Sequence, residues 1–183
     1  MTKIEQLANR YAEAIQGDWS STIAGAQRVI MVVYDKEMER NLRGQFGEFE
    51  QRTRSAGHGW EHFDCTRLFS DWLSKDADRE DFFEEPDDLR PTIEADFEPL
   101  VTDSLRERIR EADENTVVAV SGIASLYGLL HISKLIREVE IDIRGRLLVF
   151  FPGSRHANNY RLLDARDGWN YLARSVSLES TGA

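Results

Sequence analysis

Apolar and polar positions alternate along this chain in blocks of two periods. Ile4, Leu7, Tyr11 and Ala14 recur at helical spacing behind Thr2 and Glu5, which stand in capping-box relation. They predict a helix over about 3–16. A loop over 17–25 leads to Val29-Ile-Met-Val-Val-Tyr34, an unbroken apolar run that predicts a strand covered on both faces. Asp35 is placed to cap a second helix over 36–56, with Met38, Leu42, Phe46 and Phe49 along one side. Gly44 and Gly47 inside it weaken it by about 1 kcal/mol each relative to Ala, and Gly57 and Gly59 end it.

The pattern repeats downstream. Residues 60–65 predict a second strand. Thr66 is placed to cap a short helix carrying Leu68, Phe69, Trp72 and Leu73. Ile93, Phe97, Leu100, Val101, Leu105 and Ile109 form a helical stripe over about 92–112, with a kink or restart expected at Pro99. Residues 116–120 and 146–151 read as further buried strands. Ser133 is expected to cap a helix that runs to about Val139. Pro152-Gly153 reads as a turn, residues 160–163 as a fifth strand, and Glu179–Ala183 as a fraying tail.

Strands with continuous apolar runs, separated by helices, predict a three-layer α/β domain. The expectation is one domain over 1–183 with a mainly parallel sheet of about five strands, helices on both faces, and a Rossmann-like or degenerate P-loop-like character. Ligand crevices in such sheets lie beyond the strand C-termini, which here gathers Asp35, Asp64, Ser121, Gly122, Pro152 and Gly153 at one edge.

Charge adds an asymmetry. The chain is 183 residues long with net charge −10. Between Asp76 and Glu98 stand 11 acids and two bases, so nearly all the excess sits in one stretch, an acidic helical insertion at about 75–112. Phe82 and Phe83 are expected to anchor it. Six arginines accompany only Asp164 and Asp167 between Arg144 and Arg174. A global excess of acid argues against a dedicated nucleic-acid binder. The single cysteine, Cys65, leaves no internal disulfide or multi-thiolate zinc site. With no apolar segment of about 20 residues and no signal-peptide pattern, a cytoplasmic protein is expected.

Candidate chemistry is sparse. No GxxxxGK[ST] loop follows either early strand: the first opens into Tyr34-Asp35-Lys36-Glu37 and the third into Ser121-Gly122-Ile123-Ala124. His62 and Cys65, three residues apart in a strand, would face opposite ways and make no nucleophile–base pair. Asp35 and Asp64, at what would be neighbouring strand ends, could hold a magnesium ion, although helix capping explains Asp35 equally well. The arginines of the C-terminal run, with Asn158, Asn159, Tyr160, Trp169 and Tyr171, suit a protein interface, single-stranded nucleic acid, or an internal network of Asp164, Arg166 and Asp167.

Three segments carry a resemblance. They are Gly25-Ala-Gln-Arg-Val-Ile-Met-Val-Val-Tyr34, Asp113-Glu-Asn-Thr-Val-Val-Ala119, and Arg144-Gly-Arg-Leu-Leu-Val-Phe-Phe-Pro-Gly153 with Asn159-Tyr-Arg-Leu-Leu-Asp-Ala-Arg-Asp-Gly-Trp-Asn-Tyr171. In length and order the chain resembles the BrxB family, a small core component of the bacteriophage exclusion (BREX) systems of bacteria and archaea. The resemblance implies a cytoplasmic antiviral defence protein with no assigned enzymatic activity, no catalytic residues to carry over, and no cofactor. It implies as companions the PglZ phosphatase-like protein, expected as the direct partner, the BrxC AAA+ ATPase and the PglX methyltransferase. The expected role is a non-catalytic adaptor. The alternative is a degenerate nucleotide- or nucleic-acid-binding sensor in the same system. Candidate interface residues are Glu84, Glu85, Asp87 and Asp88 in the acidic stretch and Arg155, Asn159, Arg161, Arg166 and Trp169 in the basic one.

Overall fold

The computed structural model describes residues 1–178, so the tail over 179–183 lies outside the described residues. The chain opens with α1 (Lys3–Ile15), whose capping box forms as the sequence predicts: Thr2 Oγ1 accepts from the Glu5 N–H at 3.1 Å, and the Thr2 N–H donates to Glu5 at 2.6 Å. Strand β1 (Val29–Tyr34) follows, buried at every position. The expected second helix is broken. Asp35 caps only a 3₁₀ turn (Lys36–Met38), and then α2 (Glu39–Arg43) and α3 (Phe46–Ser55) part at Gly44 and Gln45. The break turns Leu42 and Phe49 onto one core.

Strand β2 (Gly59–Asp64) leads to α4 (Leu68–Ser74), where Thr66 does not cap as expected: Arg67 holds the N-cap position without a side-chain bond, and Thr66 is instead tied back to Asp64 in the turn before the helix. Asp64 Oδ1 accepts from both the N–H and the hydroxyl of Thr66. Short helices α5 (Arg79–Glu84) and α6 (Leu89–Thr92) cross the acidic stretch. A π-helical turn (Ile93–Phe97) joins α6 to α7 (Glu98–Glu111), its Glu98 N–H bonding back to the Ile93 carbonyl. This wide turn absorbs the N–H missing at Pro99. It keeps Ile93, Phe97, Val101, Leu105 and Ile109 on one buried stripe.

Strand β3 (Thr116–Ser121) is followed by a 3₁₀ turn (Ile123–Leu126) and α8 (Ile132–Val139). Ser133 lies inside the first turn of α8 and caps nothing, since His131 holds the N-cap position. The chain closes with β4 (Arg146–His156), β5 (Asn159–Leu162), β6 (Trp169–Asn170) and β7 (Arg174–Val176).

The main sheet has the order β2-β3-β4-β1-β7, and every pair in it is parallel. One face packs Val29, Met31 and Val33 with Leu105, Ile109, Leu135 and Ile136 from α7 and α8. The other packs Ile30, Val32 and Tyr34 with Leu7 and Tyr11 of α1 and Phe49 of α3. Both faces of the central strands are covered, which is why those strands read as unbroken apolar runs.

The expected turn at Pro152-Gly153 is absent. Pro152 is the last residue in parallel register with β1, opposite Tyr34. The strand then continues past the sheet edge, and Gly153–His156 pair antiparallel with β5. Gly153 permits this close approach, since a Cβ there would stand 2.1 Å from the Arg161 carbonyl oxygen. The chain reverses only at Ala157 and Asn158, and β6 adds a third strand, so residues 153–170 form a small antiparallel prong on the sheet edge. Among the described residues, no helix is long and apolar enough to cross a membrane.

Candidate functional site

Sequence reasoning places function beyond the C-terminal ends of the parallel strands, and a cleft of about 470 Å³ lies there. Three distant segments build it. The α6–α7 region contributes Arg90 and Glu94, the loop after β3 contributes Tyr127 and Leu130, and the underside of the prong contributes Leu162, Arg166 and Trp169. Arg90 pins the first wall to the second by donating to the Gly128 carbonyl at 2.9 Å.

Strand parity fixes the two faces of the prong. Tyr160 and Trp169 pair across β5 and β6 and turn inward, where Trp169 meets Phe151, Tyr160 and Tyr171 at centroid distances of 6.4, 5.7 and 5.2 Å. Ser154, His156, Asn159, Arg161 and Asn170 share the outer face, which carries no acid. Of the arginines only Arg161 stands on that outer face; Arg155 pairs with Tyr160 on the aromatic side, and Arg166 lines the cleft with Trp169.

The expected network of Asp164, Arg166 and Asp167 does not form. Asp164 instead pairs with Lys36, tying the prong to the turn after β1. Among the described residues, Arg161 and Arg166 are exposed and make no ion pair. Arg155 is half-buried and donates to the Ala157 carbonyl at 2.9 Å, and Asn159 is exposed. Arg144 and Arg146 serve the scaffold at the opposite sheet edge. Arg144 donates to the Arg110 and Ala112 carbonyls at the end of α7, while Arg146 lies 4.8 Å over the Trp19 ring.

The acidic stretch is set out towards solvent. Glu84, Glu85, Asp87 and Asp88 are exposed, and α5 buries no residue. Phe82 and Phe83 do not anchor it. Neither packs onto a core cluster; Leu89, on α6, does. Arg166 and Trp169 enter the cleft, whereas Glu84, Glu85, Asp87 and Asp88 do not line it.

Asp35 and Asp64 are not neighbours. Strands β3 and β4 stand between β2 and β1, a lateral separation of roughly 14 Å at ordinary strand spacing, too far for the two carboxylates to share a magnesium ion. Among the described residues, no group of three or more His, Cys, Asp or Glu could hold a metal ion.

The structure also reveals a pair that sequence spacing hid. His62 Nε2 lies 2.7 Å from Ser121 Oγ across β2 and β3. Burial pushes His62 below the usual imidazole range, against the opposing pull of Asp64 and Glu50. This is a nucleophile–base geometry, but Ser121 is only 1% exposed, so no substrate reaches the hydroxyl. Cys65 is fully buried on the opposite face of the sheet, and burial pushes its thiol up to about 12. The thiol is inert at neutral pH.

Neither strand end offers a phosphate cradle. Gly122 takes a left-handed φ of +72°, and the space beside it is filled by Asp64 and Thr66, so a carboxylate stands where a phosphate would sit. After β1, the Asp35 carboxylate occupies the start of the 3₁₀ turn.

No family model, curated protein or solved structure matches the chain. The functional reading therefore rests on the residues themselves.

Proposed function

We propose that this chain is a non-catalytic adaptor of a BREX anti-phage complex, of the BrxB type, working in the cytoplasm. Its direct partner in this reading is the PglZ phosphatase-like protein, with BrxC and PglX as further members of the assembly. One observation carries the reading. Ions of opposite sign that make no ion pair among the described residues, Glu84, Glu85, Asp87 and Asp88 on one segment and Arg161 and Arg166 on another, are held in solvent, with Arg166 at the cleft.

Charges left without internal partners contribute little to folding and are available to a complementary surface. The nucleophiles that might argue for an enzyme are sealed in the core, and an acid occupies the place where an anion would bind after β3. The first point weighs against an enzyme and the second favours the adaptor over a nucleotide sensor.

The test is affinity purification of the tagged chain from a host carrying the full gene set, with the masses of co-purifying proteins. The reading expects the PglZ-like protein in stoichiometric amount. Recovery of the folded chain alone refutes it.

A further inference from the structure

Three arginines stand at the end of the main sheet remote from the cleft, where the parallel strands begin. Arg28 precedes β1, Arg146 opens β4 and Arg174 opens β7. Ile30 pairs with Leu148 on one side and with Arg174 on the other. Arg174 and Arg146, two residues before Leu148, therefore share the sheet face covered by α1 and α3. The loop over 17–25 ties Arg146 to Arg28. Arg146 lies 4.8 Å over the Trp19 ring, and Arg28 donates to the Ser21 and Ile143 carbonyls. Trp19 is itself held, stacked on His58 at 3.7 Å and donating to the Ile15 carbonyl at 3.1 Å. The Arg146 guanidinium thus rests on a fixed support.

No acid pairs with this cluster. Among the described residues, none of the three arginines makes an ion pair. Of the acids on adjoining segments, Glu13, Asp18 and Glu114 are exposed, Glu140 accepts from the Tyr171 hydroxyl, Asp142 pairs with Arg106 and Arg110, and Asp113 accepts from Asn115 and Thr116. Burial, and then the like charges of Arg28 and Arg174, push the Arg146 guanidinium below its usual value. Like charges held together and partly withdrawn from water cost free energy that a bound anion recovers. Donors stand ready for one. The Trp19 ring takes a face of the Arg146 guanidinium, and Arg146 spends one N–H on the Gly145 carbonyl at 2.9 Å out of five in its plane. Arg174 is exposed, and Arg28 Nε, closed off from solvent, has no acceptor. Guanidinium forks match phosphate oxygens, and a phosphate group brings up to about two negative charges where a carboxylate brings one.

We propose that Arg146 and Arg174 bind the phosphate group of a small molecule, with Arg28, at the head of the strand between theirs, as a fixed positive charge.

The experiment is calorimetric titration of the full chain with pyrophosphate and with inorganic phosphate, against acetate and chloride at equal ionic strength. Nitrogen–proton NMR spectra of the same mixtures locate the contact. Saturable binding is expected for both phosphate probes, with Kd between about 10 µM and 1 mM, and with shifts at the Arg146 Nε–H and the Trp19 indole N–H. Arg174→Gln, at an exposed position, should bind about tenfold more weakly with an unchanged melting curve. Arg146→Lys keeps the charge and loses the fork, and should weaken binding by a similar factor; if it melts early, Arg174→Gln decides alone. Acetate or chloride giving the same heat and shifts overturns the proposal, since charge screening then explains the effect. So does a wild type that shows no saturable phosphate binding, or an Arg174→Gln variant that binds like the wild type. Partner capture in the adaptor test does not depend on any of these results.

Discussion

Replacing Gly153 by Ala attacks the junction that carries the prong. The added Cβ would stand 2.1 Å from the Arg161 carbonyl oxygen and 3.1 Å from the Leu163 nitrogen. Relief requires β5 to retreat by about 1 Å, which takes the 2.8 Å bond from the Leu163 N–H to the Pro152 carbonyl beyond hydrogen-bonding range. Two or three bonds of the β4–β5 ladder go with it, at about 1 kcal/mol each. Loss of glycine's freedom in the unfolded chain returns about 0.4–1 kcal/mol, which leaves a net destabilisation of about 2 kcal/mol. The damage should be local. Hydrogen exchange of the β5 amides should accelerate about 30-fold, while the β1 amides keep their protection. If β5 retains wild-type protection in Gly153→Ala, the steric account of the strand continuing past Pro152 is wrong.

Three further outcomes are expected. Trp169→Ala removes a half-buried ring packed against three others; it should cost about 2 kcal/mol, below the 3–5 of a fully buried aromatic, read as a fall in Tm of about 4–8 °C. The Thr116 hydroxyl and the Asn115 N–H hold the Asp113 carboxyl below its ordinary value of 3.8. Its stabilising contribution is therefore complete above that value and lost as pH falls through the lower folded one, so Asp113→Asn should flatten the acid limb of a Tm-against-pH curve below about pH 4. Cys65 should resist an aromatic disulfide reagent at pH 8 and react fully in denaturant; rapid labelling of the native protein would contradict its burial.

The fold was legible where one physical cause dominates. The runs in β1, β3 and β4 are apolar at every position because both faces are covered, and that pattern survives in one dimension. Thr2 and Glu5 satisfy each other locally, so their spacing sufficed. Pro152-Gly153 misleads because turn chemistry is a local preference. Here the segment that returns alongside, absent from any local window, takes up the Pro152 carbonyl with the Leu163 N–H just after β5, and β5 itself uses the space left by the missing Cβ. Phe82 and Phe83 misread as core because hydrophobicity alone cannot say whether a core lies within reach. Strand order is also silent in the sequence, so Asp35 and Asp64 seemed adjacent when two strands separate them. The cleft was invisible for the same reason. Arg90, Tyr127 and Trp169 meet only through the tertiary fold, although the charges flanking it were readable one by one.

The central claim is that this chain binds a partner through its exposed charges. Calorimetric titration of the purified chain into the purified PglZ-like protein tests it most directly. The account predicts saturable binding, weakened at least tenfold by Glu84→Lys with Glu85→Lys while the melting curve is unchanged. A folded wild-type chain that gives no binding heat and does not co-elute with that protein would contradict it.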